Sequence, residues 1–173
     1  MLGVMNAVYL ITGVPAAGKS TVAQALAERL PRSVHVRGDV FRRFVVNGRV
    51  EMGPDPSPDA LAQLRLRHRL AARAADEYAA EGFTPVVQDV LLGEFLPYTI
   101  EHLRTRPLHV VVLAPEPATV AAREAARPKT AYRDFTVSDL DAALRATPRI
   151  GLWLDTSDLT VDATVDRILA ATS

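Results

Sequence analysis

One run of eight residues carries the strongest chemical signal in the chain: Gly13-Val14-Pro15-Ala16-Ala17-Gly18-Lys19-Ser20, followed by Thr21. It satisfies G-x-x-x-x-G-K-S in full. The glycines let the backbone turn back on itself, so that successive N–H groups converge on phosphate oxygens. A helix starting near Lys19 aims its positive dipole end at the same anion. In such a loop the lysine reaches the β- and γ-phosphates and the Ser20 hydroxyl ligates Mg²⁺. The expected nucleotide-binding residues are Gly13, Pro15, Ala16, Ala17, Gly18, Lys19, Ser20 and Thr21. A chance match in a Gly/Ala-rich turn needs neither a buried strand before it nor an amphipathic helix after it, and the sequence carries both patterns.

Three other places offer chemistry. Asp39 follows Arg37-Gly38, where a carboxylate can accept a hydrogen bond from an acceptor hydroxyl and align it with a γ-phosphate. A weak base suffices if the transition state is loose and positioning dominates. The same Asp also suits the N-cap of a short helix over 40–46, and the two roles are compatible. Asp89 ends the apolar run Val86-Val87-Gln88-Asp89, which resembles a loose Walker B whose acid holds Mg²⁺; substrate hydrogen bonding and a plain turn remain open beside it. The stretch 123–133 holds Arg123, Arg127, Lys129 and Arg133 around Pro128. Such a segment, a lid spanning about 123–135, can neutralise charge on a transferring phosphoryl group, with Arg127 the leading candidate. Ordinary surface pairing around Glu124 is the plain alternative. Arg42 and Arg43 either shape an acceptor pocket over about 39–60 or are surface cations.

These residues need elements to place them. The run Val8-Tyr9-Leu10-Ile11 reads as a strand buried on both faces. Val22, Ala23, Leu26, Ala27 and Leu30 then fall at helical spacing until Pro31. A strand over 34–36 precedes Asp39, and residues 47–58 hold three prolines and two glycines, which excludes regular structure. Ser57-Pro58 starts a long helix with an expected stripe of Leu61, Leu64, His68, Ala71, Ala75 and Tyr78, closed by Gly82. On its other face Arg65, Arg69 and Arg73 read as solvated, with an Arg73–Glu77 pair. Strands over 84–88, 108–113 and 150–154 alternate with helices over 95–103, 117–126, after a Thr136/Asp139 start box, and after Asp158. Apolar strands alternating with helices imply a parallel sheet covered on both faces, with ligands at the strand C-terminal edge. Every candidate above falls on that edge.

Composition narrows the function classes. The 173 residues suit one domain; hydrophobic residues make up 49% and charged ones 23%, a globular balance. Twenty basic and twenty acidic residues give zero net charge, which argues against nucleic acid as a partner. No cysteine is present, so disulfides, thiol nucleophiles and Cys-type zinc sites are excluded, and four scattered histidines suggest no metal cluster. Residues 1–7 lack a signal-peptide pattern and no apolar run is long enough for a bilayer, so a cytoplasmic protein with no membrane partner is expected. No Asn-Lys-x-Asp motif of guanine-reading switches occurs, which favours ATP, and the length leaves little room for motor subdomains.

GVPAAGKST, RGD after the second strand, VVQDVLLG and REAAR together resemble the chloramphenicol phosphotransferase-like group of small P-loop kinases. The arrangement is more distantly similar to shikimate kinase, gluconate kinase and the kinase domain of bacterial polynucleotide repair enzymes. The resemblance implies an α/β P-loop NTPase fold, like that of the nucleoside monophosphate kinases, with a five-stranded parallel sheet and a small lid. It also implies an ATP- and Mg²⁺-dependent O-phosphotransferase with Lys19, Asp39 and Arg127 catalytic. Arg123 then joins the nucleotide site, Asp39, Arg42, Asp89 and Arg133 the substrate site, and Ser20 and Asp89 the metal. Two departures stand out. Gln88 occupies a place where a further acid precedes Asp89, and residues 47–59 are unlike the antibiotic enzyme, so chloramphenicol is not the expected acceptor. The leading reading is a kinase for a hydroxyl on a small molecule (an antibiotic, nucleoside or sugar-like metabolite). A nucleotide or polynucleotide 5′-hydroxyl kinase and a nucleotide-gated ATPase are the competing ones.

Overall fold

The computed structural model describes residues 7–128 and 134–173. Arg133, expected in the substrate site, lies outside the described residues, as does Lys129. Five strands pair in parallel in the order β2-β3-β1-β4-β5: β1 Val8–Thr12, β2 Ser33–Arg37, β3 Thr84–Gln88, β4 Leu108–Leu113 and β5 Leu152–Leu154. All five residues of β1 are buried, as its unbroken apolar run requires of a central strand. Its register sets Tyr9 opposite Val86 on one side and His109 on the other.

The first crossover, through α1 Lys19–Arg29, runs outward to β2, and every later one runs back across the sheet. Right-handedness therefore sends α1 to one face and α3 Pro58–Ala80, α4 Phe95–His102, α5 Pro117–Ala125 and α6 Val137–Arg145 to the other. The closing helix α7 Val161–Thr172 packs beside α1. Ser57 caps α3 by accepting from the Ala60 N–H at 3.1 Å, and Thr136 and Asp139 form a reciprocal capping box on α6. Among the described residues no helix is long and apolar enough to cross a membrane.

Four local expectations change. The short helix α2 spans Asp39–Arg43 with Gly38 at its cap, so Asp39 sits in the first turn and is not the N-cap; Phe44 and Val46, on the expected continuation, are exposed. Tyr78 is exposed and meets Phe83 edge-on. At 100° per residue it stands about 80° off the stripe set by His68, while Ala79 falls in line and is buried. Gly151 takes a φ of 77°, which ends extended backbone and starts β5 at Leu152. The pair expected between Arg73 and Glu77 is not among the ion pairs of the described residues; the face instead reaches α4, where Arg65 meets Glu94 at 3.2 Å and Arg69 the Tyr98 hydroxyl at 2.7 Å.

Candidate active site

The loop after β1 is closed by its own backbone, the Ala17 N–H donating to the Val14 carbonyl at 3.1 Å. Ala16 and Gly18 both hold positive φ, 64° and 95°, the geometry that turns neighbouring amides inward. The Lys19 ammonium, almost wholly buried, donates to the Val14 carbonyl at 2.8 Å. Burial pushes Lys19 down to about 8, with the nearby Arg127 and Arg67 charges acting the same way and Asp89 and Asp39 opposing. The Ser20 hydroxyl, at the exposed mouth of the loop, receives the Gln88 amide at 3.2 Å.

Hydrogen bonding continues past the strand ends and ties the functional loops together. The Gly38 N–H donates to the Gln88 carbonyl at 3.0 Å and the Asp89 N–H to the Ile11 carbonyl at 3.2 Å. Thr12 and Leu91 form a reciprocal clamp: the Leu91 N–H donates to the Thr12 hydroxyl at 2.8 Å, and that hydroxyl donates to the Leu91 carbonyl at 3.3 Å. Gly38 itself has ordinary right-handed helical geometry. It is required for a different reason, since a Cβ there would collide with the Asp89 carboxylate.

Asp89 is buried, and Arg67 of α3 grips it in a two-pronged ion pair, Nε to Oδ2 at 2.9 Å and Nη2 to Oδ1. Oδ1 also accepts from the Val90 N–H at 2.8 Å, and His68 Nε2 lies 3.7 Å from Oδ2. Asp89 thus meets the cleft as part of an ion pair, not as a bare carboxylate. Burial works against the Arg67 charge, but the Asp89 carboxylate outweighs it and holds the guanidinium above its usual range. Burial pushes His68 down to about 4, with Asp89 opposing. Neither ring nitrogen of His68 has a hydrogen-bond partner among the described residues.

Arg67, Glu51 and Arg49 are the site residues that the sequence patterns left unmarked, the last two as partners of the expected Arg42. Arg67 carried a usable signal. It stands three residues after Leu64 and four before Ala71, at the edge of the buried stripe, where a cation needs an acid partner.

Asp39 lines the same cleft and pairs with Arg43 at 2.8 Å on its solvent side. Arg42 pairs with Glu51 at 2.6 Å, and Arg49 approaches the same Glu51 oxygen at 3.2 Å. From the far side Arg123 donates to the Ala17 carbonyl at 3.2 Å and the Thr156 carbonyl at 3.1 Å, joining the phosphate loop to the turn after β5. Arg127 meets Glu124 at 3.4 Å.

These groups surround one cleft of about 1090 Å³. Pro15, Ala16, Gly18, Lys19, Ser20 and Thr21 form its floor, and Asp39, Arg42, Asp89, Arg123 and Arg127 its walls. Gly13 and Ala17 are buried beneath the loop and do not face the opening. For magnesium the cleft offers the Ser20 hydroxyl beside carboxylates; among the described residues no three acidic or imidazole ligands cluster. That donor set fits an ion that takes most of its oxygens from phosphate and water.

A match to the family described as AAA domain spans residues 10–143. A UPF0200 protein of Aeropyrum pernix is 35% identical over 88 residues, a match covering 50% of this chain and 45% of that protein. The chain thus spans less than half the length of this curated relative. Among solved structures, the APS kinase of Mycobacterium tuberculosis in complex with AMPPNP and APS aligns with a TM-score of 0.72 at 17% identity, over 97% of this chain and 98% of that one. A sugar kinase from Janibacter sp. aligns with a TM-score of 0.71 at 17% identity, over 97% and 94%. At such identities the likeness is one of fold, the α/β P-loop architecture of small kinases.

Proposed function

The chain belongs to this AAA domain family, and from that premise we propose that it is an ATP-dependent phosphotransferase that moves the γ-phosphate to a hydroxyl of a small molecule. The observation that supports the reading most directly is the shared cleft, in which the phosphate loop, Asp39 and Arg127 face one space. Loop amides and the α1 N-terminus bind the triphosphate tail. Lys19 exchanges the Val14 carbonyl for phosphate oxygens. Asp39 accepts the hydrogen bond of the acceptor hydroxyl, aligns its oxygen with the γ-phosphorus and takes its proton as the bond forms. Arg127 leaves Glu124 to balance charge spread over the transferring group, while Arg123 braces the loop from the nucleotide side. Magnesium, held through Ser20 when bound, supplies neutralisation of phosphate charge. Asp89 fixes Arg67 in the wall, so its contribution to substrate is made through that guanidinium. Arg42 borders the acceptor space, and Arg133 is assigned to the acceptor by its place in the lid segment alone.

A coupled ADP-release screen over hydroxylated compounds, followed by mass spectrometry of the acceptor, tests this. The expected result is acceptor-stimulated ADP release with a phosphate adduct on the acceptor. Absence of any calorimetric heat on ATP addition would remove the reading altogether.

A further inference from the structure

Resting on that kinase reading, we infer that the acceptor is an uncharged molecule with a largely apolar body, seated in a second chamber that opens from the phosphate cleft. The chamber holds about 700 Å³, a volume that suits a drug-sized molecule. Its walls come from five separate segments: Phe41 of α2, Met52 of the following loop, Leu64 and Leu70 of α3, Phe95 of α4 and Leu140 of α6. It shares Pro15, Arg42, Arg67 and Val90 with the phosphate cleft, so an occupant's hydroxyl reaches the side where Asp39 and Lys19 lie. Leu66 and Val50, at its edge, are large apolar side chains left exposed, and an apolar occupant would cover them.

The polar groups of the wall argue in the same direction because they are already engaged. Arg42 and Arg49 converge on Glu51, Arg67 holds Asp89 and Glu94 meets Arg65. An acidic acceptor would have to compete with Glu51, Asp89 or Glu94 for the charge of these arginines. The Gln63 amide, the neutral hydrogen-bonding side chain of the wall, accepts from the Val50 N–H at 2.9 Å and donates to the Gly48 carbonyl at 2.8 Å. A polyol would thus lose hydration along the apolar walls, where Gln63 is already engaged. In the transfer, the acceptor oxygen bonds to the γ-phosphorus as the bond from that phosphorus to the β,γ-bridging oxygen breaks. ADP leaves with the bridging electron pair, and the hydroxyl proton passes to Asp39 and then to water.

The test uses Nile red, an uncharged apolar fluorophore, with the full chain and saturating Mg·ATP. The expected results are saturable dye binding, displacement by uncharged aryl and alicyclic alcohols, and at least tenfold stimulation of ADP release by some of the displacing alcohols. Glucose, ribose and gluconate should do neither. Leu66→Glu at the exposed edge and Ala143→Glu in the wall, each checked for folding by thermal melting, should cut dye affinity at least tenfold. The inference is overturned if the dye does not bind, or if either folded variant binds it like the parent protein. It is equally overturned if the polyols or gluconate stimulate turnover, or if no displacing alcohol does. Turnover with a polyol would leave the kinase reading standing, whereas failure to bind ATP would end that reading first.

Discussion

The two halves of the site are built from different materials. The floor of the phosphate cleft is set by backbone: one short loop, a helix start and strand ends locked by main-chain hydrogen bonds. The acceptor chamber is made of side chains from α2, α3, α4, α6 and the 47–58 segment. Backbone geometry serves any triphosphate and tolerates little change, while side-chain walls can be exchanged one at a time. On the proposed kinase reading, chemistry is concentrated in the first region and specificity in the second.

This division can be broken at its most demanding point first. Lys19→Ala should lower turnover by about a thousandfold or more and weaken ATP binding, read by ADP release and calorimetry; unchanged kinetics would separate the loop from the chemistry. Asp39→Asn should keep ATP affinity while losing about 10²–10⁴ in kcat, and a fully active variant would take Asp39 out of the mechanism.

Arg67 lies where the two regions meet. Arg67→Met strands the buried Asp89 charge and should cost about 3–5 kcal/mol in urea unfolding. Arg42→Met on the exposed rim should cost less than about 1 kcal/mol. The double variant Arg67→Met, Asp89→Leu should recover most of the loss, because no buried charge is then left alone.

His68 gives an effect of intermediate size. The folded protein holds it at about 4 against an ordinary 6.5, so the unfolded chain binds the proton more readily. Stability is complete above the ordinary value and drains as pH falls toward 4. The loss from this group at pH 5 relative to pH 7 is about 2 kcal/mol, and His68→Leu should flatten that acid limb. His35, also pushed down to about 4 by burial and Arg37, acts in the same direction but more weakly, being only half-buried.

The smallest signal comes from the phosphate side. Burial holds Lys19 at about 8, below its ordinary 10.5, and a bound triphosphate should restore its proton. Calorimetry near pH 9 in buffers of differing ionisation enthalpy should show uptake of up to about one proton on ATP binding, with none from Lys19 near pH 6.5. Without added nucleotide, the same group should make stability rise with pH between about 8 and 10.5.

Legibility in the sequence followed the same division. The phosphate loop was readable because its parts are contiguous, and β1 and α1 were readable from the periodicities flanking it. The placement of Asp39 and Asp89 at the ligand edge followed from their positions after strands. Arg67 on Asp89 was not readable, because the partners are 22 residues apart on a helix and a strand end whose approach only the packed sheet defines. Gly38 carries no mark of its role in the sequence, because its smallness answers to the Asp89 carboxylate across from it. The acceptor chamber was hidden for a related reason. Leu64 reads as a stripe residue, but it is only half-buried because the chamber opens beside it. Apolar residues facing a cavity and apolar residues facing a core have the same period.

The strand order has a metric consequence. Asp39 follows β2 and the phosphate loop follows β1, with β3 between them. The span from the acid to the loop is therefore counted in whole inter-strand steps, two of them, or about 9–10 Å. Side-chain substitutions leave that yardstick alone; only inserting or removing a strand would rescale it. On the proposed reading, descendants of this architecture can change their acceptor by recarving the far walls, while the backbone spacing between acid and phosphate loop stays the same.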